Sequence, residues 1–442
     1  MGGNISLIYC IPFVGMLLSI ALFPVLKPEW WEKHELLVSL LWSLLFIVMF
    51  TIGFGFKRTG TEVADSLLED YVPFIVLLFG LFCITGNITM DSNLDGSPRV
   101  NLLMLLVGTI LASWIGTTGA SMLMIRPMIR SNQWRKRKKH TFIFFIFLVS
   151  NMGGVLTPVG DPPLLMGFMR NVPFFWSMHL LPVLLLNAVI LLTIYYFLDV
   201  RAFSTDVAEG LHPGNIGVKS IRVRGLHNVI FLLMVVFAVI LRGYLSSSPT
   251  FEKNYGIGVI SMTGTTYVEL AIILVACVLS FMTTKKEIRE MNAFSWAPIK
   301  EVAILFFGIF ITMIPALLIL HAKGGELGLT EPYQMFWATG LMSSFLDNTP
   351  TYMVFLTTAG ALGAKAGIHT TVGIVSQKML MAISAGAVFM GANTYIGNAP
   401  NFMVKSIAEE NKVEMPSFFG YMKWSIGFLI PVFILDMFLF LM

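Results

Sequence analysis

Charged side chains are scarce in this chain of 442 residues: they make up 12% of it, against about 25% in ordinary soluble domains. Too little polar surface is left to coat a soluble globule, and disorder, coiled coil and collagen are excluded with it. Cysteine is nearly absent. Cys10, Cys83 and Cys277 stand inside apolar runs without C-x-x-C spacing, so a disulfide scaffold is excluded and the three read as small core residues. His140, His212, His227 and His369 are scattered and form no zinc pattern. The one dense basic run is short and lies between apolar segments, which argues against nucleic acid as a partner. What the chain does contain is hydrophobic residue, 56% of the total, with 37 Phe and 28 Met and a mean hydropathy of +0.79. These values predict an all-α polytopic membrane protein whose first partner is the lipid bilayer.

A bilayer core takes about 20 apolar residues per helix. Qualifying runs lie near 5–26, 36–56, 72–90, 141–160, 174–198, 227–245, 268–284, 301–321, 376–397 and 417–441, about ten full spans. The start Met1-Gly2-Gly3 resembles a myristoylation pattern, but with a span from about Ile5 it is read as incidental, and no cleavable signal is expected. Two further stretches, 100–125 and 333–360, are interrupted by Gly116-Thr117-Thr118-Gly119 and Asp347-Asn348-Thr349-Pro350. Each half is read as too short to cross, which makes both stretches re-entrant hairpins. With the Arg126–His140 segment in the cytoplasm, loops on that side carry twenty Lys and Arg and the opposite loops six, as the positive-inside rule requires. Both termini then fall outside. The expected location is the inner (plasma) membrane of a bacterium, crossed many times.

The chain repeats itself. Ser113-Trp-Ile-Gly-Thr-Thr-Gly-Ala-Ser-Met122 aligns with Ser344-Phe-Leu-Asp-Asn-Thr-Pro-Thr-Tyr-Met353, and Gly154-Val-Leu-Thr-Pro-Val-Gly-Asp-Pro-Pro163 with Gly391-Ala-Asn-Thr-Tyr-Ile-Gly-Asn-Ala-Pro400, at offsets of 231 and 237. Five crossings between the hairpins, an odd number, make the second enter from the opposite face. The expected organisation is a first inverted repeat at 1–198 with a broken helix at 141–165, a cytoplasmic linker at 199–226, and a second repeat at 227–442 with a broken helix at 376–400. In such folds the site lies near the midplane between the halves.

The broken segments carry the chemistry. Pro158, Pro162 and Pro163 remove backbone donors, and Pro350 and Pro400 act as breakers in the other half. Gly160 and Gly397 accept backbone angles that other residues resist. Freed carbonyls and amides can meet a cation or an anion, with Asn151, Thr157, Thr117, Thr118, Asn348, Thr349, Asn393, Thr394 and Asn398 completing the shell. Asp161, in the first break, and Asp347, at the second tip, are the expected ion-binding acids, because a carboxylate at bilayer depth costs roughly 2.5–3.5 kcal/mol unless it lines a pathway or is paired. No Lys or Arg accompanies them in either patch. Two such acids should titrate together, bind sodium when ionised and release it when protonated. Glu269 and Asp436 lie near span ends and are expected to reach the interface.

At these residues the sequence resembles the ion transporter superfamily. Thr157-Pro-x-Gly-Asp-Pro-Pro163 and Phe345-Leu-Asp-Asn-x-Pro350 are similar to motifs of the NhaD-type sodium/proton antiporters, the arsenite permeases and a related group of citrate transporters. The resemblance implies two inverted halves, each with a hairpin and a broken helix, usually in a homodimer; no cofactor is expected, sodium being a substrate. Paired Ser-Asn-Thr signatures of the dicarboxylate carriers are incomplete here, which favours a small cation. Sodium/proton antiport through Asp161 and Asp347 is therefore the first expectation, with cation- or proton-coupled transport of citrate or a dicarboxylate as the alternative. Val159-Gly160-Asp161 is also similar to the Gly-x-Gly-Asp of intramembrane aspartyl proteases, but Pro158 stands where the first glycine belongs, and no enzyme is expected.

Overall fold

A computed structural model describes residues 5–213, 221–246, 248–257, 260–292 and 294–442. The Gly2 pattern and the linker glycines Gly214 and Gly217 lie outside these residues. The chain is a predominantly helical, multi-pass membrane protein, as composition predicts, because lipid cannot satisfy backbone groups and each spanning segment must bond internally. Among the described residues nine helical stretches are long and apolar enough to cross a membrane, and a tenth, Ala297–Leu327, passes the same test as two helices bent by 47°. Rows of exposed leucines such as Leu37, Leu41 and Leu44 give these helices a lipid-facing side.

In chain order the helices are α1 (Ile11–Leu26), α2 (Pro28–Phe54), α3 (Phe56–Asp65), α4 (Val72–Gly86), α5 (Pro98–Ile115), α6 (Thr117–Ser131), α7 (Lys139–Leu148), α8 (Pro162–Met169), α9 (Leu181–Ala208) and α10 (Asn228–Leu245). They continue with α11 (Gly264–Thr283), α12 (Lys286–Met291), α13 (Ala297–Thr312), α14 (Ile314–Lys323), α15 (Pro332–Ser343), α16 (Asn348–Ala361), α17 (Gln377–Met390), α18 (Ala399–Glu410) and α19 (Phe418–Asp436). A short antiparallel pair, β1 (Thr89–Ser92) with β2 (Ile221–Arg224), ties the end of the expected linker to the approach to α5. At the centre, α7 is buried all round from His140 to Leu148, the signature of a helix apolar on every face.

The differences from expectation have local causes. Proline at the first turn starts α2 at Pro28, well before the apolar run, because its missing N–H is not needed there. The third span is preceded by α3 and a π-helical turn, so that helix is continuous over Phe56–Gly86. The helix α5, read as too short to cross, has 18 residues and passes on length and hydropathy. In contrast α17, inside the expected span 376–397, has only 14 residues before the chain unwinds. Helix α9 runs on to Ala208, into the stretch from 199 expected from sequence to be linker.

That extension of α9 is held by charge. Arg135, counted from sequence within the cytoplasmic basic run, has a fully buried side chain paired with Asp199 (2.5 Å) and Asp206 (3.5 Å), both also fully buried. His140 Nε2 lies 2.8 Å from Asp199, Arg137 pairs with Asp206 at 2.9 Å and with Glu209, and Asn101 donates to Asp199 at 3.1 Å. Glu269 and Asp436 are likewise enclosed instead of reaching the interface. Glu269, 2% exposed, pairs with Arg242 at 2.7 Å. Asp436, 1% exposed, accepts from Asn187 Nδ2 at 2.8 Å to each oxygen.

Removing one partner from a buried ion pair strands the other charge, at a cost of about 3–5 kcal/mol. Arg135→Leu is accordingly expected to lower the melting temperature of the purified protein in detergent far more than the neighbouring surface change Lys136→Leu, whose side chain is 69% exposed; intrinsic-fluorescence melting curves check this.

Candidate functional site

Two interrupted stretches meet two unwound ones. The first is α5, Gly116 and α6, where Gly116 at φ +80° turns the chain between the helices. The second is α15, residues 344–347 and α16. The unwound stretches separate α7 from α8 and α17 from α18, each passing through a short 3₁₀ turn, Met152–Leu156 or Gly391–Asn393.

The same bonds hold both breaks. Thr157 Oγ1 donates to the carbonyl of Ser113, and Thr394 Oγ1 to that of Ser344. Val159 N and Ile396 N each donate to the preceding threonine oxygen at 3.2 Å. Ser113 Oγ donates to Gly153 O, and Ser344 Oγ faces Met390 O at 3.1 Å. Asp161 and its counterpart Asn398 share extended angles, φ −144°, ψ 138° and φ −148°, ψ 139°. Glycine is needed where the strands of each break cross: a Cβ on Gly160 would lie 2.2 Å from Gly154 O, and one on Gly397 2.5 Å from Gly391 O. Each recurrence joins residues 237 apart within the breaks and 231 apart within the tips, the offsets read from sequence.

Asparagines then join one break to the other. Asn151 Nδ2 donates to Asn401 Oδ1 (2.7 Å), Asn398 Nδ2 lies 3.2 Å from Asn151 Oδ1 and 3.1 Å from Ser150 O, and Asn401 Nδ2 donates to Gly391 O and Thr394 O (2.8 and 2.9 Å). Ser121 and Ser150 hydroxyls lie 2.8 Å apart.

Asp161 sits at the junction, 1% exposed. Its Oδ1 accepts from Thr117 Oγ1 at 3.0 Å and faces Asn398 Nδ2 at 3.5 Å, while Oδ2 faces the Asn348 amide at 3.3 Å. One carboxylate thus touches the first tip, the second tip and the second break. Asp347, half-buried, turns an oxygen to Thr349 N at 3.0 Å and caps α16. It is the chain neighbour of Asn348. Among their hydrogen-bond partners none is Lys, Arg or His. Among the described residues no group of three or more His, Cys, Asp or Glu is suited to a metal, so a cation at Asp161 has to draw on amide, hydroxyl and carbonyl oxygens. Asn393 Nδ2 donates to Ser344 Oγ at 2.9 Å, and its buried Oδ1 has no partner among the described residues.

Of the remaining residues expected from sequence, Thr118 is half-buried and stands outside this set of bonds. The prolines Pro162, Pro163 and Pro400 begin α8 and α18, and Pro350 lies in the first turn of α16. Ser113, Ser344 and Asn401 are site residues that the sequence reading does not single out. The serines carry a signal, since they open the two aligned patches at matching places; Asn401 has Leu164 as its counterpart and carries none. Farther off, α8 ends at Arg170, which pairs with Asp70 at 2.7 Å beside a cavity of about 280 Å³ lined also by Asp65, Glu69 and His321.

A family model described as putative citrate transport matches residues 2–441. A search of the curated proteins finds no match.

An unsatisfied buried carbonyl costs about 1–3 kcal/mol. Thr157→Val and Thr394→Val are each expected to lower the melting temperature in detergent by a similar amount, because each removes the same pin from a different break. Thr→Ser at either place keeps the hydroxyl and most of the stability, and the paired melting curves check the equivalence.

Proposed function

The chain belongs to the family described as putative citrate transport, and we propose that it is a secondary active carrier of citrate or a related small carboxylate, coupled to a cation or proton held by Asp161 and Asp347. It is a transporter of the multi-pass membrane type and not an enzyme, as the family match and the helical architecture establish. The observation that carries the finer reading is the setting of Asp161, enclosed by neutral polar side chains from three separate elements. An anionic substrate entering such a place meets like charge in a poorly polarisable interior, where Coulomb repulsion is weakly screened. That repulsion is removed when the aspartates carry a proton or a cation, or when citrate arrives as a complex with a metal ion. Coupling is then a requirement of the site's charge.

The two halves are proposed to be inverted repeats that place these acids near the midplane. The bonds that recur at offsets of 231 and 237 support this reading, as does the odd number of crossings expected between the hairpins. A second reading, exchange of sodium for protons, is favoured by one feature: among the described residues no basic side chain bonds either aspartate, so a cation alone suits the cage.

The test is reconstitution in sealed vesicles with labelled citrate. Uptake is expected to depend on an imposed proton or cation gradient, and Asp161→Asn is expected to abolish that dependence. Internal pH changes driven by sodium, lithium or potassium without citrate would select antiport instead. Citrate uptake that Asp161→Asn leaves equally gradient-dependent would remove the acids from the mechanism.

A further inference from the structure

The hydrogen-bond count around Asn348 assigns more than its place in the cage. With its amide nitrogen toward Asp161, its oxygen faces Ser343 Oγ at 2.6 Å, while Ser343 Oγ also faces Ala387 O at 2.6 Å. A hydroxyl has one proton to give, so one of these acceptors goes unserved. The same amide oxygen would also lie 2.7 Å from Gly397 O, two acceptors with no proton between them. Turning the amide over resolves each conflict. Nδ2 then donates to Gly397 O (2.7 Å) and Ser343 Oγ (2.6 Å), with Ala387 O at 3.1 Å, and the Ser343 proton is free for Ala387 O.

The reversed amide has a consequence at the other end. Asn348 Oδ1 now occupies the position 3.3 Å from Asp161 Oδ2, and an amide oxygen beside an ionised carboxylate is a contact between two acceptors. It becomes favourable when a proton or a cation sits between them. Oδ1 of Asp161 is already served by Thr117, which leaves Oδ2 as the atom to protonate.

We propose that Asp161 Oδ2 is the atom that carries the coupling proton and that the Asn348 amide reads its presence. With the proton in place, the Asp161 O–H donates to Asn348 Oδ1 and the amide nitrogen binds Gly397 O and Ser343 Oγ, holding the second tip to the second break and to α15. When the proton leaves to water in the pathway, the O–H bond breaks and the carboxylate needs a donor. The amide then turns Nδ2 to Oδ2 and releases Gly397 O and Ser343 Oγ. A hard monovalent cation coordinated by both oxygens replaces the proton without turning the amide, so cation and proton compete for one pair of atoms. This inference rests on the reading of Asp161 as the coupling carboxylate and adds to it the atom and the residue that responds.

The charged neighbours are few. The tips and breaks packed on Asp161 present Thr117, Asn348 and Asn398, with Asp347 beside Asn348. The other charges on the helices flanking these tips and breaks, Arg99 on α5, Arg126 and Arg130 on α6, Lys139 and His140 on α7, Lys378 on α17 and Lys405, Glu409 and Glu410 on α18, with Arg170 just past α8, lie about two turns or more along the chain.

Difference infrared spectra of the reconstituted protein between acid and alkaline pH test the assignment, together with the pH profile of gradient-driven citrate uptake. The carboxylic-acid C=O band is expected to vanish in Asp161→Asn and to shift in Asn348→Leu, which offers neither donor nor acceptor. Uptake by Asn348→Leu is expected to show its pH midpoint moved toward alkaline pH by roughly one unit, whereas Asn348→Ser, able to donate and accept, keeps the midpoint near that of the unmodified protein. If Asn348→Leu does not fold, Asn348→Ala serves in its place. A band and midpoint indifferent to position 348, while Asp161→Asn still abolishes coupling, would overturn the role of Asn348 and leave the carboxylate reading standing. Coupling and band both unchanged in Asp161→Asn would overturn the reading of Asp161 itself.

Discussion

Unwinding a helix inside a membrane protein frees carbonyl and amide groups where no bulk water can satisfy them. The rest of this structure depends on how that constraint is met. At each break a threonine hydroxyl donates to a serine carbonyl at the neighbouring tip and accepts from an amide two residues on. The prolines that begin α8 and α18 lack the amide that would otherwise be exposed there. Each unwound stretch is therefore bonded to a tip, and neither tip nor break can be repositioned alone. Glycine at 160 and 397 permits the close crossing of backbone that this arrangement needs.

On this common frame the two halves carry different chemistry. The counterpart of Asp161 is Asn398, that of Asp347 is Gly116, and that of Asn348 is Thr117. Identical pins with unequal polar groups produce a junction with one enclosed carboxylate, where perfect symmetry would have placed two or none. Neutral polar groups around an acid keep both its charged and its uncharged forms within reach, whereas a fixed Lys or Arg would hold it ionised. On the proposed reading of Asp161 as the coupling carboxylate, that balance is what exchange requires.

Much of this is legible from sequence because repetition is a statement about geometry. The patches at 113–122 and 344–353, and at 154–163 and 391–400, locate both tips and both breaks, and the structure brings residues of all four into mutual contact. Helix ends are less legible. Hydropathy follows the lipid, so it misses the charged start of α2 and the charged end of α9, both set by proline capping and ion pairing. Polar partners without a counterpart also escape: Asn401 matches a leucine in the other half, and Arg135 looks like any member of a basic loop. Its burial depends on Asp199 and Asp206, far along the chain, and no local pattern announces that pairing. Glu269 and Asp436 are misplaced toward the interface for the same reason, since proximity to a span end says nothing about a facing Arg242 or Asn187.

The Arg135 cluster bears on biogenesis. Asp199 and Asp206 follow Arg135 by about 64 and 71 residues, so synthesis from the N-terminus makes the basic segment well before the acids that bury it. Only with those acids made can that guanidinium be withdrawn from water. The cluster can therefore close only after that part of α9 has been made, which makes it a contact completed late in the synthesis of the segments it joins.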